Sequence, residues 1–506
     1  MVTAFVPRIV RNDYSVLSTA ADSQWSPHHT VSVIIPAYGN ADKLRLTLAA
    51  LAAQTYPSEL TEVIVVDDNS EPPLRLGPLR PDHTRLVRPP RGRWGSAYAV
   101  NYGASVSNGE VIVRLDADMV PFADHLEAQL RWHSRADYLA VIGHKRFIGY
   151  HQGDFTPENI FDRVTSDTIG SLKGHSTSHS HWIEQVIDDT DQLRAARVDS
   201  YRVFVGATGS LKRDLFEEVG GLDSSLPLGS DTEFAYRLAQ AGAVFVPELT
   251  SSAWHLGKSQ MQSSAFDGRR FRTPFVAQRV PLMAARRTSP GRTWQVPFVD
   301  VVVNISAGYD VDQVDATVAP LLNGSASDIR LWLVHDSGWP ATEARTADMN
   351  DPATQLRLIQ ELYRHEPRIH LVDESPDADP VVPYRLLMPQ PAPTTPATID
   401  RLVRVLNAEQ AGLLLVTLGD GSSARMERHS AFARARRLAR DPNGDPYLYD
   451  RLVAETWGVA QRDSLDKSSR STATAFTVPP PSWARRAARR FLPGPLRQRL
   501  HTLRKV

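Results

Sequence analysis

Short β-branched segments alternate with helical segments over residues 31–115, and this alternation constrains the fold more than any other feature of the chain. The segments predicted as strands are 31–36, 62–66, 85–88 and 110–115. Leucines at helical spacing predict a helix over 41–54, and small residues predict another over 96–107. Strands that are apolar on both faces and alternate with helices form a mostly parallel sheet covered on both sides. We therefore expect a Rossmann-like α/β domain in this part of the chain.

Polar clusters follow three of these strands at their carboxyl ends. The clusters are Pro36-Ala37-Tyr38, Asp67-Asp68 and Asp116-Ala117-Asp118. Ligands of open α/β sheets bind beyond the carboxyl ends of the strands, so three clusters on one rim predict a binding site. Two carboxylates separated by one residue can hold Mg²⁺ or Mn²⁺, because hard cations prefer oxygen ligands and sit between carboxylates and phosphates. An isolated Asp-x-Asp is common in surface loops, and its position after a strand favours the metal-diphosphate interpretation.

Length, charge and cysteine content exclude several classes of protein. With 506 residues the chain is long enough for two or more domains. Its 57 basic and 57 acidic residues balance, so the molecule has no general attraction to nucleic acid. Cysteine is absent, which excludes disulfides, thiolate catalysis and Cys-ligated zinc. No segment resembles a secretory signal or a membrane-spanning helix, so we expect a cytoplasmic protein, free or attached to a membrane surface.

The region from residue 297 repeats the opening region. Residues 299–303 and 330–336 match 31–35 and 62–68 at the same offset. We predict 412–418 as the counterpart of the fourth strand, followed by Gly419-Asp420-Gly421 in place of the Asp-Ala-Asp triplet. Asp67 is replaced by His335, and one acid is a poor metal clamp. We therefore predict a second, degenerate domain of the same fold without catalysis; the alternative is a generic α/β domain whose repeat is coincidental.

Two further segments have open interpretations. His175, His179 and His181 lie in a polar stretch that is either a zinc site or, as we favour, a mobile substrate loop. Residues 482–506 contain eight Arg or Lys, interleaved with apolar residues, and no acid. Such a basic amphipathic tail suits peripheral contact with an anionic inner membrane face, and a solvated tail or a protein-docking helix is an equal alternative.

The motifs, taken in order, resemble those of the inverting nucleotide-sugar glycosyltransferases of family 2, which have the GT-A fold. The motifs that carry the resemblance are residues 31–38, 65–70, 115–118, 220–223 and 231–234. Trp254-His255 after the last strand is similar to polysaccharide-building members such as chondroitin polymerases, which also have two tandem domains. The expected organisation is a GT-A domain over 29–285 after an extension over 1–28, a GT-A-like domain over 297–445, a linker over 446–481 and the basic tail.

The resemblance implies a role for each matching residue. Nucleotide-sugar contacts are implied for Pro36, Ala37, Tyr38, Asp67, Asp68, Asp116 and Ala117, with Arg93 added from the neighbouring loop. Asp118 and His255 would bind Mn²⁺ or Mg²⁺. Asp231 would be the catalytic base, and Glu233 and Trp254 would contact the acceptor. A carboxylate opposite the leaving group can take the proton of the attacking hydroxyl, while a cation offsets the charge of the departing diphosphate.

For several of these residues, a purely structural role is an alternative to the functional one. Asp231 can be only a helix cap, His255 only a buried histidine, and Trp254 only packing. The family has an acid where this chain has Ser230, and an arginine where it has Val100. These departures affect acceptor choice or activity.

We predict a metal-dependent inverting enzyme that uses a UDP-sugar and a glycan or lipid-linked acceptor. The rival from the same fold is an inactive glycan- or nucleotide-binding scaffold. A nucleotidyltransferase would have a Gly-rich basic loop after the first strand, and this chain has none there.

Overall fold

The structure is a computed structural model and describes most of the chain. The described residues are 6–17, 25–172, 182–258, 267–283, 287, 292–305, 308–326, 328–341, 351, 353–439 and 447–465. They all belong to one compact unit, Met1–Asp466. The histidine cluster at 175–181 and the basic tail at 482–506 lie outside the described residues. No helix among those described is long and apolar enough to cross a membrane.

An eight-stranded sheet forms the first half of the molecule. Its strands are β1 (Val31–Ala37), β2 (Thr61–Asp67), β3 (Thr84–Val87), β4 (Val111–Leu115), β5 (Met119–Pro121), β6 (Leu139–Ile148), β7 (Thr208–Lys212) and β8 (Val244–Leu256). Their order is β3-β2-β1-β4-β7-β6-β8-β5. The first four strands are parallel, β7 is antiparallel to both neighbours, and β5 is antiparallel to β8. The expected mixed α/β fold is therefore confirmed.

Helices cover both faces of this sheet. They are α1 (Ala41–Ala52), α2 (Ser96–Ser105), α3 (His125–His133), α4 (Pro157–Thr165), α5 (Trp182–Asp189), α6 (Arg213–Glu218), α7 (Ser230–Gln240) and α8 (Gly268–Arg279). Alternate side chains of β1, β2 and β4 enter two different cores, one with Ile34, Ile64 and Ile112 and the other with Val33, Val63 and Val113. Burial of both faces explains why these strands are apolar throughout and do not alternate with polar residues.

The second half of the molecule repeats this topology. Its strands are β9 (Val299–Asn304), β10 (Ile329–Val334), β11 (Ile369–Val372), β12 (Tyr384–Met388), β13 (Leu413–Thr417), β14 (Ser423–Arg428) and β15 (Val459–Arg462). Its helices are α9 (Val311–Leu322), α10 (Thr354–Tyr363), α11 (Thr398–Ala408), α12 (His429–Leu438) and α13 (Leu448–Thr456). The order β11-β10-β9-β12-β14-β13-β15 matches β3-β2-β1-β4-β7-β6-β8 strand for strand. A second sheet domain with the same strand order is thus present.

The sheet order corrects the predicted counterpart of the fourth strand. β12, not the segment 412–418, pairs with β9 as β4 pairs with β1. Val111 lies opposite Val31 and Tyr384 lies opposite Val299, so Pro389 and Pro391 follow β12 where Asp116 and Asp118 follow β4. The segment 412–418 was misleading because it is the longest apolar run in this region. Asp420 therefore follows β13 and is not the remnant of an Asp-Ala-Asp motif.

The second sheet also continues past the boundary expected at residue 445. α13 lies within the predicted linker, and β15 pairs in parallel with β13 through Leu413 and Val459. The expected linker over 446–481 is wrong in its first part, because a short helix and an edge strand give only a weak apolar pattern. From residue 466 onward the chain lies outside the described residues.

Residues 6–17 form a segment that contacts both halves of the molecule. The side chain of Asn12 donates to the carbonyl of Phe245 at 2.9 Å and accepts from its amide at 2.8 Å. The amide of Arg11 donates to the carbonyl of Thr456 at 2.8 Å, at the end of α13. The segment is therefore a strut between the two sheets, and not only an extension of the first.

Arg434 of α12 completes this junction from the second half. It is 2% exposed and donates to the carbonyls of Ile9 at 3.2 Å and of Arg11 at 3.1 Å. It also donates to the carbonyls of Gly242 and Ala243 in the first half. One guanidinium thus satisfies four backbone acceptors where the strut and the two halves meet.

Candidate active site

Asp67 fixes the loop that follows β2. Its carboxylate accepts from the amides of Ser70 at 2.8 Å and Leu74 at 3.2 Å, and from Arg88 at 2.6 Å. Burial alone would raise the pKa of Asp67, but the hydrogen bonds from Arg88 and Ser70 outweigh it and lower this pKa. The nucleotide contact expected of Asp67 does not fit well with these bonds, because both oxygens already have partners.

Asp68, by contrast, has an oxygen to spare. Its Oδ2 accepts from the amide of Gly95 at 2.6 Å, whereas Oδ1 is buried without a hydrogen-bond partner among the described residues. Burial raises the pKa of this carboxyl. A buried acceptor without a donor costs about 1–3 kcal/mol, so this position favours a ligand that presents an N–H or O–H.

Two exposed aromatic side chains belong to residues next to the hydrogen-bond partners of Asp68. Tyr38 is 66% exposed and follows Ala37, whose carbonyl accepts from the Asp68 amide at 2.9 Å. Trp94 is 77% exposed and precedes Gly95. Trp94 was not selected from the sequence. The signal that could have indicated it is its place in the glycine-containing loop Gly92-Arg93-Trp94-Gly95, just before α2. Exposed rings beside an unsatisfied buried acceptor can hold a planar group.

Asp118 and His255 meet because β5 runs antiparallel to β8. Met119 lies opposite His255, and the amide of Leu256 donates to the Asp118 carbonyl at 2.9 Å. This places Asp118 Oδ1 3.6 Å from His255 Nε2. Two ligand atoms that each lie ~2.1 Å from one cation, with a 90° angle at the cation, are about 3 Å apart. The distance between Asp118 Oδ1 and His255 Nε2 is only slightly longer, so these two atoms can bind the same ion.

The state of His255 suits this role. Its side chain is buried, its Nδ1 has no partner among the described residues, and the tilted ring of Phe147 lies 4.7 Å from its ring, centre to centre. Burial lowers the pKa of His255, and the neighbouring Asp118 only partly offsets this. The imidazole is therefore neutral, the form that binds cations. No group of three His, Asp or Glu side chains that could hold a metal ion occurs in the described ranges.

Asp116 and Asp231 lie on either side of one short loop. The amide of Asp116 donates to the Ala207 carbonyl at 3.0 Å, and the amide of Gly206 lies 3.5 Å from Asp231 Oδ2. A Cβ added at Gly206 would come within 1.9 Å of the guanidinium of Arg114, which is 3.5 Å from Asp116 Oδ1. Glycine at position 206 therefore leaves room for the Arg114 guanidinium.

Asp231 is not the N-cap of α7, although its carboxylate bonds to an amide of the first helical turn. Gly229 is the N-cap of α7, so Asp231 is the second helical residue. Its Oδ1 accepts from the amide of Thr232 at 2.9 Å, and its Oδ2 is directed to the Gly206 loop. The carboxylate is thus oriented toward the cleft that contains Asp116 and Asp118.

The acceptor contacts expected of Glu233 and Trp254 receive no support from the surroundings of these side chains. Glu233 is buried, and both of its oxygens accept from Arg237 one turn later in α7. Trp254 is also buried, and its indole N–H donates to the Ile169 carbonyl at 2.9 Å. Neither side chain has a free polar group or an exposed face for a sugar.

The remaining expected residues occupy the loops beside α2. Arg93 is exposed and lies 3.4 Å from the hydroxyl of Ser224. Val100 is buried in the hydrophobic core. Its neighbour Asn101 makes two hydrogen bonds with the backbone of Leu222, at 2.7 and 2.9 Å. Pro36 and Ala117 line the same rim through their positions at the ends of β1 and β4.

Comparison with known proteins matches a part of the first half of the chain to one family. Residues 32–220 match the family described as Glycosyl transferase family 2. The chain is 23% identical to chondroitin synthase of Escherichia coli over 363 residues, covering 68% of this chain and 50% of that protein. It is 30% identical to the UDP-forming cellulose synthase catalytic subunit of Pseudomonas fluorescens over 194 residues, covering 38% of this chain and 24% of that protein.

A solved structure similar to the chain is the mannosyltransferase PcManGT from Pyrobaculum calidifontis in complex with GDP-Man and Mn²⁺. The TM-score is 0.33 at 22% identity, over 50% of this chain and 62% of that one. The chain spans about half the length of the chondroitin synthase that it resembles.

Proposed function

Because residues 32–220 form a glycosyltransferase family 2 domain, we propose that the protein moves a sugar from a nucleotide-sugar to a saccharide acceptor with inversion. The observation that supports this best is the shared loop between Asp116 and Asp231, which brings the nucleotide side and the base side of one cleft together. Inversion in one displacement requires a base on the side opposite the leaving group.

Asp231 is proposed as that base. Its carboxylate takes the proton of the acceptor hydroxyl as the oxygen attacks the anomeric carbon. Asp116, with Arg114 beside it, orients the donor near the ribose and the diphosphate. The side chains of Asp118 and His255 would hold Mn²⁺ or Mg²⁺, which offsets the negative charge that develops on the departing diphosphate.

A uracil base is the proposed partner of Asp68. Uracil presents one ring N–H to a single buried acceptor, and the exposed ring of Tyr38 provides a stacking surface beside it. The relative from Pseudomonas fluorescens is named for forming UDP, which supports the same donor.

Asp68→Asn is expected to weaken uridine binding by about 10–100-fold, because hydrogen bonds to charged groups contribute about 1.5–3 kcal/mol. The side-chain NH₂ of asparagine would also face one of two donors, the Gly95 amide or the uracil N–H, and a donor cannot bond to another donor. Isothermal titration calorimetry with uridine measures the change. Asp336→Asn is the matched control, since the pairing of β10 with β9 makes Asp336 the counterpart of Asp68. Equal affinities for wild type and Asp68→Asn would exclude this assignment.

The acceptor is proposed to be a glycan or a lipid-linked saccharide near the inner membrane face. The support is the chondroitin synthase relative and the basic tail at 482–506. Transfer of a radiolabelled sugar from UDP-sugars to a panel of oligosaccharides tests the reaction itself.

Asp118→Ala is expected to abolish the part of UDP-induced stabilisation that depends on Mn²⁺. A ligand at 100 times its Kd stabilises a protein by about 2.7 kcal/mol, so the loss is measurable by thermal shift. The screen compares UDP with and without Mn²⁺, and a set of nucleotide-sugars identifies the donor. Asp420→Ala, at an exposed acid after β13, should leave the shift intact. A full Mn²⁺-dependent shift in Asp118→Ala would refute the role of this residue.

A further inference from the structure

Lys145 lies on the cleft side of β6, although sequence analysis did not select it. Residues opposite each other in paired strands have side chains on the same face, and Lys145 lies opposite Ala253 while Phe147 lies opposite His255. The Phe147 ring contacts the ring of His255 at 4.7 Å, and the ammonium of Lys145 is 5.8 Å from the centre of the Phe147 ring. The ammonium therefore lies on the side of the sheet that presents His255.

Three carboxylates attract the Lys145 ammonium electrostatically, and none is within hydrogen-bond distance of it. Asp116, Asp231 and Asp118 all attract Lys145, whereas Arg114 repels it. Lys145 makes no hydrogen bond and no ion pair within 4.0 Å with any residue that the structure describes. Burial lowers the pKa of Lys145, and the three carboxylates oppose this effect. The Lys145 amine thus has no hydrogen-bond partner among the described residues.

Lys43 provides a contrast within the same cleft. Its ammonium donates to the Leu256 carbonyl at 2.7 Å and lies 3.6 Å from Asp118 Oδ2. Lys43 is therefore already bonded to the end of β8, and its charge helps to hold Asp118 in place. Lys145 has no such bond and retains its three N–H donors for another partner.

We propose that Lys145 binds the terminal phosphate of the nucleoside diphosphate, as a cation supplied by the protein next to Asp118 and His255. The inference rests on the proposed function and names a further residue of the same site. A terminal phosphate beside Asp118 and His255 would lie on the face of the sheet that carries the Lys145 ammonium. A cation bound at Asp118 would weaken the pull of the carboxylates on Lys145, and the phosphate would replace them as its partner.

The alternative is that Lys145 only offsets repulsion among the three acids. The two roles differ in their dependence on the ligand. A phosphate contact affects UDP and leaves uridine unchanged, whereas a purely structural role affects both ligands alike. The experiment therefore compares ligands with and without phosphates.

The test measures binding of uridine, UMP, UDP and GDP to the full chain by calorimetry, once with Mn²⁺ and once with excess EDTA. Lys145→Met is expected to weaken UDP binding about 10–100-fold in both conditions, with UMP less affected and uridine unchanged. Lys145→Arg should restore most of the UDP affinity. Arg146→Met is the matched control, because it removes a positive charge from the next, exposed residue of the strand.

Several outcomes would overturn the inference. They are an unchanged UDP affinity in Lys145→Met, an equal loss for uridine and UDP, or no binding of either diphosphate by the wild type. Lys145→Arg keeps the inference testable if the methionine variant fails to fold. Failure of the proposed function gives a different result. If the protein transfers no sugar but still binds UDP in a Lys145-dependent way, the proposed reaction is wrong and the phosphate contact is still supported.

Discussion

Asp231→Asn is expected to reduce sugar transfer by about 10²–10⁴-fold, the usual contribution of a general base. Asparagine cannot accept the proton of the acceptor hydroxyl, but it has the shape of aspartate and can still accept from the Thr232 amide. Affinity for the nucleotide should therefore change little. Initial rates of transfer, together with calorimetric titration of UDP in the same samples, measure both quantities.

Asp312→Asn is the matched control for this experiment. Asp312 is the second residue of α9, as Asp231 is the second residue of α7, and it is exposed. Both substitutions remove a favourable charge from a first helical turn, which is worth about 0.3–1 kcal/mol. A deep loss of transfer in Asp231→Asn alone supports the base. If neither variant loses activity, another group is the base; if the wild type binds UDP without any turnover, the inactive scaffold is the better account.

Arg434→Met is expected to lower the free energy of unfolding by about 3–5 kcal/mol, the largest stability effect that we predict. Methionine fills similar space but has no donor, so four buried carbonyls lose their partner at about 1–3 kcal/mol each. Relief of the buried charge offsets part of that loss. Burial lowers the pKa of Arg434 to about 10, so the guanidinium remains charged at neutral pH.

Urea denaturation followed by circular dichroism measures this change. Arg364→Met is the control, because Arg364 lies on the surface and its ion-pair partner among the described residues is Glu361, nearby in the chain. Exposed pairs of this kind contribute about 0–1 kcal/mol. Proteolysis near residues 6–17 should also become faster in Arg434→Met, since two of the lost bonds hold that segment. Similar unfolding curves for the two variants would show that the junction depends on packing alone.

The polar rim could be predicted because its residues directly follow apolar strands, which can be recognised from the local sequence. Asp68 and Asp116 follow apolar strands directly, and the carboxyl ends of parallel strands meet at one edge. Asp231 lies far away in the chain, and only its motif indicated it. Lys145 has neither signal, because it lies inside a strand and reaches the cleft through the pairing of β6 with β8.

The errors have equally specific causes. Glu233 was assigned to the acceptor from its place in a motif, although Arg237 stands one helical turn later and is an obvious partner for it. The counterpart of the fourth strand was misplaced because β12 and β13 are both short and leucine-rich. Only the hydrogen-bonded order of the strands, which pairs residues distant in sequence, distinguishes them.

The strut at residues 6–17 has a consequence for biosynthesis. Ile9 leaves the ribosome early, but the arginine that binds its carbonyl is 425 residues further along. At 5–20 residues per second, the strut waits roughly 20–85 s for that partner. During this interval its apolar side chains are open to chaperones.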